Sequence, residues 1–338
     1  MRVLITGASG FIGCQLAQQA MRLGHQVTAV TALNNDVERA RCQRLTDAGV
    51  RVAVAPLADR AALERLLAQQ EAVIHLAAAQ HEAGAPEAYF REVNVEGTRT
   101  LLELAVRCGV ARFVYGSTIG VYGSQPGARL DEDSPLAPDN PYGRTKAEAE
   151  RVAREFAAQI GLCIVRISET YGPGDMRLLK LFRALQSGRY LTIGDGRNLH
   201  QLIYVEDLAQ GLLAAMQTTA ASGTTVLLAG SEVLSTDAMV AAIGAAVGRP
   251  RPPRHVPLWP FVIAAGVCER LMPALGMRPL LHRRRLDFFR KSFQFSAAAA
   301  ERLLGFRAAT SFATGARLTA DWYRAQGLLA ASPLRAVT

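Results

Sequence analysis

Two residues near the middle of the chain have the types and the spacing of a proton-transfer pair. Tyr142 and Lys146 stand four positions apart, in the run Tyr-Gly-Arg-Thr-Lys. Residues four apart share one face of an α-helix, so a helix here would place the ammonium beside the phenol. A nearby positive charge favours the phenolate and lowers the pKa of a tyrosine from its usual value of about 10. The pair therefore predicts acid/base chemistry at a tyrosine.

The start of the chain combines an apolar strand pattern with a glycine-rich turn. Gly7, Gly10 and Gly13 follow the apolar residues 3–5. The first glycine permits a tight turn, the second lets the backbone approach a pyrophosphate, and the third lets a helix pack closely on the strand. The first N–H groups of that helix would face the phosphates. We therefore expect a bound dinucleotide, contacted by Gly7, Ser9, Gly10, Phe11 and Ile12.

Short apolar runs that alternate with helix-length segments place these motifs in a fold. The runs cover residues 3–5, 27–30, 50–54, 72–76, 112–115 and 162–167. Strands that are apolar on both faces and separated by helices are typical of a parallel sheet covered on both sides. The expected fold class is α/β with a doubly wound parallel sheet of the Rossmann type.

The pattern changes after about residue 172, which indicates a second and smaller lobe. A chain of 338 residues, half of them apolar, is long for one compact domain. We expect a dinucleotide-binding domain over residues 1–172, a smaller C-terminal α/β substrate lobe over residues 173–330, and a tail over residues 331–338. Residues 224–229 carry one more strand pattern, which would return to the sheet.

Further blocks, read with the glycine turn and the tyrosine-lysine pair, resemble one protein superfamily. They are His-Leu-Ala-Ala at 75–78, Asn-Val-Glu-Gly-Thr at 94–98, Ser-Thr at 117–118, Val-Tyr-Gly at 121–123 and Tyr-Gly-Pro-Gly at 171–174. Together they resemble the extended branch of the short-chain dehydrogenases/reductases. That branch contains the NAD-dependent epimerase/dehydratase family and the 3β-hydroxysteroid-type dehydrogenases. The resemblance spans residues 1–330.

This resemblance implies an NAD(P)-dependent oxidoreductase that interconverts a secondary alcohol and a ketone. In the matching families a tyrosine is the general acid or base, a neighbouring hydroxyl holds the carbinol oxygen, and a nicotinamide exchanges hydride. The catalytic roles then fall on Tyr142, Thr118 and Lys146, and Lys146 also binds the nicotinamide ribose. The other cofactor contacts that the resemblance implies are Thr31, Leu57, Leu76, Ala77, Ala78 and Asn94.

Two other functions stay open. One is a nucleotide-sugar epimerase, such as a UDP-sugar 4-epimerase, that keeps NAD tightly bound while it oxidises, rotates and re-reduces its substrate. The other is a cofactor-binding regulatory protein without turnover, against which the intact catalytic residues argue. A 4,6-dehydratase is disfavoured, because matching dehydratases carry an acidic pair after the threonine and this chain has Ile119 and Gly120.

The substrate contacts implied by the resemblance differ from those of nucleotide-sugar enzymes. Where many of those enzymes have an asparagine and an arginine for the diphosphate, this chain has Glu169 and His200. A carboxylate repels a diphosphate, and a neutral imidazole lacks the bidentate grip of a guanidinium. We therefore expect a medium-sized substrate that is partly apolar or anionic, contacted by Thr118, Ile119, Glu169, His200 and Arg283.

The choice between NAD and NADP depends on the end of the second strand. NAD-preferring members of the branch have an aspartate there for the adenosine ribose, whereas this strand ends at Thr31-Ala32. Nothing at these positions repels a 2′-phosphate. Arg39 and Arg41 follow within the next helix, either as a solvated face or as contacts to such a phosphate. The balance favours NADP slightly over NAD.

Residues 249–291 contain nearly all of the excess positive charge. They hold ten Arg and Lys residues against Glu269 and Asp287, a formal charge of +8 out of the +9 of the chain. The same segment contains a proline-broken apolar run at 256–265 that is too short to span a bilayer. Three interpretations remain: a lid over the substrate, a peripheral contact with an anionic membrane surface, or a partner interface. Nucleic-acid binding is not expected, because no recognised module accompanies the charge.

The remaining expectations concern compartment and assembly. The five cysteines are scattered without metal-ligand spacing, so we expect reduced thiols, no metal site and a cytoplasmic protein. The resemblance implies a homodimer through the helix of Tyr142 and its neighbour at about residues 87–107.

Overall fold

The chain folds into β-strands and α-helices that largely follow the predicted segments. The computed structural model describes residues 1–80, 85–125, 129–250, 254–274, 286 and 288–331. Its strands are β1 Arg2–Thr6, β2 Gln26–Thr31, β3 Arg51–Val54, β4 Ala72–His75, β5 Arg112–Thr118, β6 Arg129–Leu130, β7 Gly161–Ile167, β8 Thr170–Tyr171, β9 Thr192–Ile193, β10 Leu199–His200, β11 Ile203–Tyr204, β12 Thr224–Leu228, β13 Leu234–Ser235, β14 His255–Val256 and β15 Gln294–Phe295. Its α-helices are α1 Phe11–Arg22, α2 Asp36–Asp47, α3 Arg60–Leu67, α4 Glu87–Arg91, α5 Gly97–Arg107, α6 Pro141–Arg154, α7 Leu179–Gln186, α8 Val205–Gln217, α9 Thr236–Ala246, α10 Trp259–Ala274, α11 Ala298–Leu304 and α12 Phe312–Ala325.

Seven of these strands form one parallel sheet in the order β12-β7-β5-β4-β1-β2-β3. The order reverses direction between β1 and β4, since the chain runs outward to β3 on one side and to β12 on the other. In such sheets ligands bind outside the carboxyl ends of the strands at this reversal. The predicted α/β class with a doubly wound sheet is confirmed.

Alternating side chains of the strands build a core on each face of the sheet. On β1, Val3 and Ile5 pack on the face covered by α1 and α8, whereas Leu4 packs on the face covered by α3, α5 and α6. All three side chains are fully buried. Burial on both faces explains why the strand pattern is continuously apolar rather than alternating.

The chain after residue 172 contributes both to the sheet layer and to a separate lobe. β12 pairs with β7 as the edge strand, as the pattern at 224–229 predicts. α8 also packs in the core beside α1, so more of the chain returns to the sheet than the sequence suggests. The lobe itself has its own apolar cluster, which joins α7, α9 and α12. Its strands are only two residues long and pair in separate two-stranded units.

Candidate active site

A single cleft lies at the carboxyl ends of the central strands, at the reversal of the sheet. It has a volume of about 890 Å³ and is lined by residues that follow β1, β2, β4, β5 and β7. We call it the catalytic cleft. The lining includes nearly all of the predicted cofactor and catalytic residues: Gly7, Ser9, Gly10, Phe11, Ile12, Thr31, Leu57, Leu76, Ala77, Ala78, Thr118, Tyr142 and Lys146. Residues far apart in the sequence thus share one site because their strands end at the same edge.

The glycine turn between β1 and α1 has the shape of a pyrophosphate cradle. Gly7 has φ +68°, and a Cβ there would lie 2.7 Å from the backbone nitrogen of Ala77. A Cβ on Gly13 would lie 2.2 Å from the carbonyl oxygen of Gly7, so the helix can approach the turn only without a side chain. α1 begins after Gly10 with no side-chain cap, which leaves its first N–H groups available to an anion. These residues fit the phosphates of a dinucleotide.

The start of α6 brings Tyr142 into the cleft. Asn140 caps the helix by accepting a hydrogen bond from the Gly143 N–H at 3.0 Å, and Pro141 occupies its first turn. Both features are favoured at helix starts. A Cβ on Gly143 would lie 2.5 Å from the carbonyl oxygen of Gly120, so this glycine lets α6 approach the segment after β5. The close approach sets Tyr142 beside Thr118.

Thr118 and Tyr142 form a hydroxyl pair whose protons can be assigned. The Thr118 Oγ1 accepts a hydrogen bond from the Gly120 N–H at 3.0 Å, so its own proton is directed at Tyr142. Burial raises the pKa of Tyr142 to about 12, although the hydrogen bond from Thr118 and the positive charge of Arg177 oppose that rise. Tyr142 is therefore protonated at neutral pH in the absence of a ligand. The lowered tyrosine pKa expected from the sequence is not what this structure gives, because desolvation outweighs the favourable contacts.

Lys146 lies one turn further along α6 and is almost fully buried. Its Nζ donates a hydrogen bond to the carbonyl oxygen of Gly116 at 2.7 Å and lies 4.1 Å from the ring centre of Tyr115. Burial lowers the pKa of Lys146 to about 7, and the carboxylate of Glu150 only partly opposes that effect. The lysine is thus near the midpoint of its titration at neutral pH and remains accessible from the cleft.

A buried ionic network supports the lysine from behind. Glu150 lies one further turn along α6, where its carboxylate accepts hydrogen bonds from the Arg166 guanidinium at 2.9 and 3.1 Å. The Ser117 hydroxyl donates to the same carboxylate at 2.6 Å. These contacts hold the pKa of Glu150 below its usual value despite burial. The network fixes α6 against β5 and β7, so that the Tyr142 face of the helix stays at the cleft.

The adenosine end of the cleft contains both a cation and an anion. The Arg41 guanidinium donates to the carbonyl oxygens of Ser9 at 3.3 Å and Gly174 at 3.0 Å and also lines the cleft. Glu38 lines the same end, with its carboxylate held by the Asn34 N–H at 2.8 Å. Arg39 instead pairs with the exposed Asp36 at 2.8 Å and is absent from the described lining.

At the substrate end, Glu169 faces the cleft and His200 lies behind it. The two side chains are 3.2 Å apart, from the histidine Nδ1 to a carboxylate oxygen. The Nε2 of His200 lies 3.0 Å from both Asn198 and Thr236, and its ring packs on Phe288. His200 is therefore a buried link in the lobe and does not line the cleft. Arg283 lies outside the described residues.

Asn94 also lies behind the lining. Its amide bonds both backbone groups of Ala79, at 2.8 and 3.0 Å, and donates to the Thr145 hydroxyl at 3.0 Å. Asn94 thereby ties the segment after β4 to α6. It would influence a bound cofactor only by positioning that segment, whose residues line the cleft. Ile119 lines the cleft beside Thr118.

The sequence analysis missed a charged pair that follows the Tyr-Gly-Pro-Gly turn. Asp175 is buried and accepts hydrogen bonds from the Arg177 backbone N–H and Nε, both at 2.9 Å. Arg177 also bonds the carbonyl oxygen of Thr170. Its guanidinium lies above the Phe11 ring and favours ionisation of Tyr142. The only signal in the sequence for this pair is that it follows the 171–174 turn directly. The run Asp-Met-Arg by itself matches no known motif.

Comparison with known proteins agrees with this geometry. The family model of the NAD dependent epimerase/dehydratase family matches residues 3–229. The dTDP-glucose 4,6-dehydratase of Streptomyces griseus is 31% identical over 335 residues, which cover 95% of this chain and 93% of the dehydratase. The 2-alkyl-3-oxoalkanoate reductase of Stenotrophomonas maltophilia is 30% identical over 289 residues, which cover 82% of this chain and 85% of the reductase.

A solved structure extends the similarity to the fold of the whole chain. DesIV, a dTDP-glucose 4,6-dehydratase from Streptomyces venezuelae with NAD and TYD bound, superposes with a TM-score of 0.75 at 28% identity. The match covers 96% of this chain and 97% of DesIV. The family resemblance inferred from the motifs is confirmed. The chain belongs to the NAD-dependent epimerase/dehydratase family and is an enzyme of the extended short-chain dehydrogenase/reductase superfamily.

Proposed function

We propose that this enzyme interconverts a ketone and a secondary alcohol with a nicotinamide cofactor, on a substrate without a nucleoside diphosphate. The observation that carries the proposal is the meeting of Thr118, Tyr142 and Lys146 in one cleft that also contains the glycine cradle. The cofactor, when bound, supplies or accepts the hydride. Every other part of the reaction falls to side chains of this chain.

Tyr142 is the proposed acid when a ketone is reduced. A tyrosine with a pKa of about 12 is protonated at neutral pH, so it can donate a hydrogen bond and then its proton to the ketone oxygen. Thr118 would hold the same oxygen by turning its hydroxyl proton from Tyr142 to the substrate. In the opposite direction, Tyr142 takes the proton from the carbinol oxygen. When its amine is protonated, Lys146 would stabilise the Tyr142 phenolate, and it would also hold the nicotinamide ribose of a bound cofactor.

The substrate class follows from the contacts around Glu169. A carboxylate paired with a buried histidine is a poor neighbour for a diphosphate. The positions after Thr118 hold an apolar Ile119 and Gly120, which cannot provide the acid and base of a 4,6-dehydration. The oxoalkanoate reductase relative is named for a substrate that has both a ketone and an alkyl part. We therefore propose a partly apolar ketone or secondary alcohol as substrate.

A nucleotide-sugar epimerase is the second candidate. Its support is the similarity to sugar-nucleotide enzymes such as the two dehydratases described above. The same three catalytic residues would serve it, because epimerisation at a carbinol carbon is an oxidation followed by a reduction. It requires retention of the cofactor through both steps, which gives an experimental distinction.

The first experiment is to denature the freshly purified protein and quantify the released dinucleotide. Near-stoichiometric NAD(H) would favour the epimerase. A protein without dinucleotide that turns over NADPH or NADH with a 2-alkyl-3-oxoalkanoate, but leaves UDP-glucose unchanged, would support the proposed oxidoreductase. Turnover of the UDP-sugar alone would contradict it.

Cofactor choice, assembly and location belong to the same proposal. Arg41 supports NADP and Glu38 opposes it, and on balance we retain the slight preference for NADP. A homodimer through α5 and α6 is proposed and would be contradicted by a monomer in analytical ultracentrifugation. A cytoplasmic location, with peripheral membrane contact through residues 249–291, completes the proposal.

A further inference from the structure

One face of α10 exposes a row of large apolar side chains. Trp259, Ile263, Val267 and Leu271 are spaced by four residues and expose 67, 58, 49 and 58% of their surface. We call them the apolar stripe. Residues four apart lie on one face of a helix, so the four side chains form a continuous strip. A strip of this kind marks an interaction surface, because soluble monomers rarely expose contiguous apolar patches.

The described part of the chain supplies no cover for the stripe. Of the residues of α10 whose burial is described, Ala265 is buried, and it lies on the opposite face of the helix from the stripe. A lid in its closed position would turn its apolar face inward. Within the part of the chain that the structure describes, the stripe therefore faces solvent.

A basic cavity opens beside the start of α10. It has a volume of about 880 Å³, and its lining includes Arg197, His255, Leu258, Phe289 and Arg290. The cavity lies at the start of α10 because β14, which precedes that helix, pairs with β9 in parallel. In this pairing the Gly194 N–H donates a hydrogen bond to the Val256 carbonyl oxygen at 2.8 Å. We call it the basic cavity.

The two arginines of the basic cavity are available to an external anion. Neither the Arg197 nor the Arg290 guanidinium forms an ion pair with another described residue. The Asp195 carboxylate also lines the cavity and accepts the Arg197 backbone N–H at 3.1 Å, while Asp237 lies 2.9 Å from the His255 ring. The cavity therefore combines two exposed guanidinium groups with one carboxylate and apolar walls, so positive charge is in excess.

We propose that α10 and the basic cavity together bind an anionic lipid surface. The apolar stripe would enter the boundary between headgroups and acyl chains, and Arg197 and Arg290 would bind lipid phosphates beside it. At 1.5 Å per residue the 16-residue helix is roughly 24 Å long. The part of the chain described by the structure contains no helix long and apolar enough to cross a bilayer. Charge decides the occupant: Arg197 and Arg290 are exposed beside the stripe and Arg254 is exposed shortly before α10, so an anionic surface is attracted and a second copy of the same face would be repelled.

The inference does not depend on the proposed chemistry, and vesicle co-sedimentation tests it directly. We expect the purified full chain to bind vesicles of equimolar phosphatidylcholine and phosphatidylglycerol at least tenfold more tightly than vesicles of phosphatidylcholine alone. Salt should weaken the binding. Equal binding to both vesicles, or none to either, would overturn the proposal.

Matched variants assign the binding to the two features. Ile263→Glu should lower vesicle affinity at least tenfold, whereas Leu23→Glu, at an equally exposed leucine after α1, should not. Arg197→Glu with Arg290→Glu should do the same, whereas Arg302→Glu on α11 should leave binding unchanged. Circular dichroism would verify that each variant is folded. If Ile263→Glu instead converts a dimer to a monomer and leaves vesicle binding intact, the stripe is a contact between copies and the proposal is wrong.

Discussion

The catalytic cleft and the basic cavity have nearly equal volumes, about 890 and 880 Å³, but they are built in different ways. The cleft lies on the ends of long buried strands, and Lys146 is almost fully enclosed there with a displaced pKa. The basic cavity lies on two-residue strands and turns, and Arg197 and Arg290 are exposed. Burial in the cleft changes the protonation of Lys146, whereas the cavity leaves its guanidinium groups open to solvent.

The largest expected effect is the loss of activity when a residue of the catalytic cleft is changed, compared with a change in the basic cavity. Tyr142→Phe should lower turnover by about 10²–10⁴-fold, the usual contribution of a general acid or base. Dinucleotide affinity should stay within about twofold, since the ring and its packing remain. Arg197→Ala in the basic cavity should leave turnover of a soluble substrate nearly unchanged. Steady-state kinetics and calorimetric titration with the dinucleotide would measure both, and substantial activity in Tyr142→Phe would remove its assigned role.

The second effect tests whether the cleft is rigid before the cofactor binds. Gly7→Ala should weaken dinucleotide binding by more than about tenfold, because its Cβ would meet the Ala77 backbone at 2.7 Å. Gly24→Ala is the matched control: it shares a positive φ, +82° against +68°, but its Cβ would meet nothing within 4 Å. It should cost only the backbone strain, about 1–2 kcal/mol of unfolding free energy. Equal loss of dinucleotide affinity in both variants would contradict a close-packed cradle.

The third effect concerns the buried lysine and the pH dependence of stability. Folding lowers the pKa of Lys146 from 10.5 to about 7, so between these values the unfolded chain holds a proton that the folded protein lacks. The unfolding free energy should then rise with pH, by up to about 1.4 kcal/mol per unit, and the rise should be absent below pH 7.

Lys146→Met isolates that contribution. The stability of the ligand-free wild type relative to this variant should increase between pH 7 and pH 9, as measured by urea unfolding at each pH. The exposed Lys180→Met is the control and should follow the wild type at every pH. A difference between wild type and Lys146→Met that is independent of pH would mean that the lysine stays protonated in the fold.

The smallest effect concerns the cofactor's 2′-phosphate. Arg41→Ala should weaken NADPH binding by up to about tenfold more than NADH binding, because one half-buried charge-assisted contact contributes about 1 kcal/mol. Arg39→Ala should leave the ratio unchanged, since Arg39 pairs with Asp36 away from the described lining. Equal weakening of both cofactors would show that Arg41 only clamps the backbone of Ser9 and Gly174.

Much of the cleft could be predicted because its determinants are local. Gly7, Gly10 and Gly13 are required by one turn and one helix, and Tyr142 and Lys146 share one helix face by spacing alone. The strands at 3–5 and 72–76 are apolar because both faces of the sheet are covered. Their order in space then follows from the alternation of strand and helix.

The misread residues depend on contacts between distant segments. The sequence predicts His200 as a substrate contact, but the packing of its ring on Phe288 and its contact with Thr236 turn it away from the cleft. Arg177 reaches the Phe11 ring across more than 160 residues of sequence. No pattern of neighbouring residues predicts the position of either side chain.

The sequence by itself determined the fold class, the tight glycine turn and the shared helix face of Tyr142 and Lys146, since each depends on residue type and short-range spacing. Only the tertiary structure decided protonation, because desolvation of Tyr142 and Lys146 depends on everything packed around them. It also decided exposure, since the apolar pattern of α10 does not say that one face of the helix meets solvent. Burial is a property of the whole fold, and spacing within one segment does not contain it.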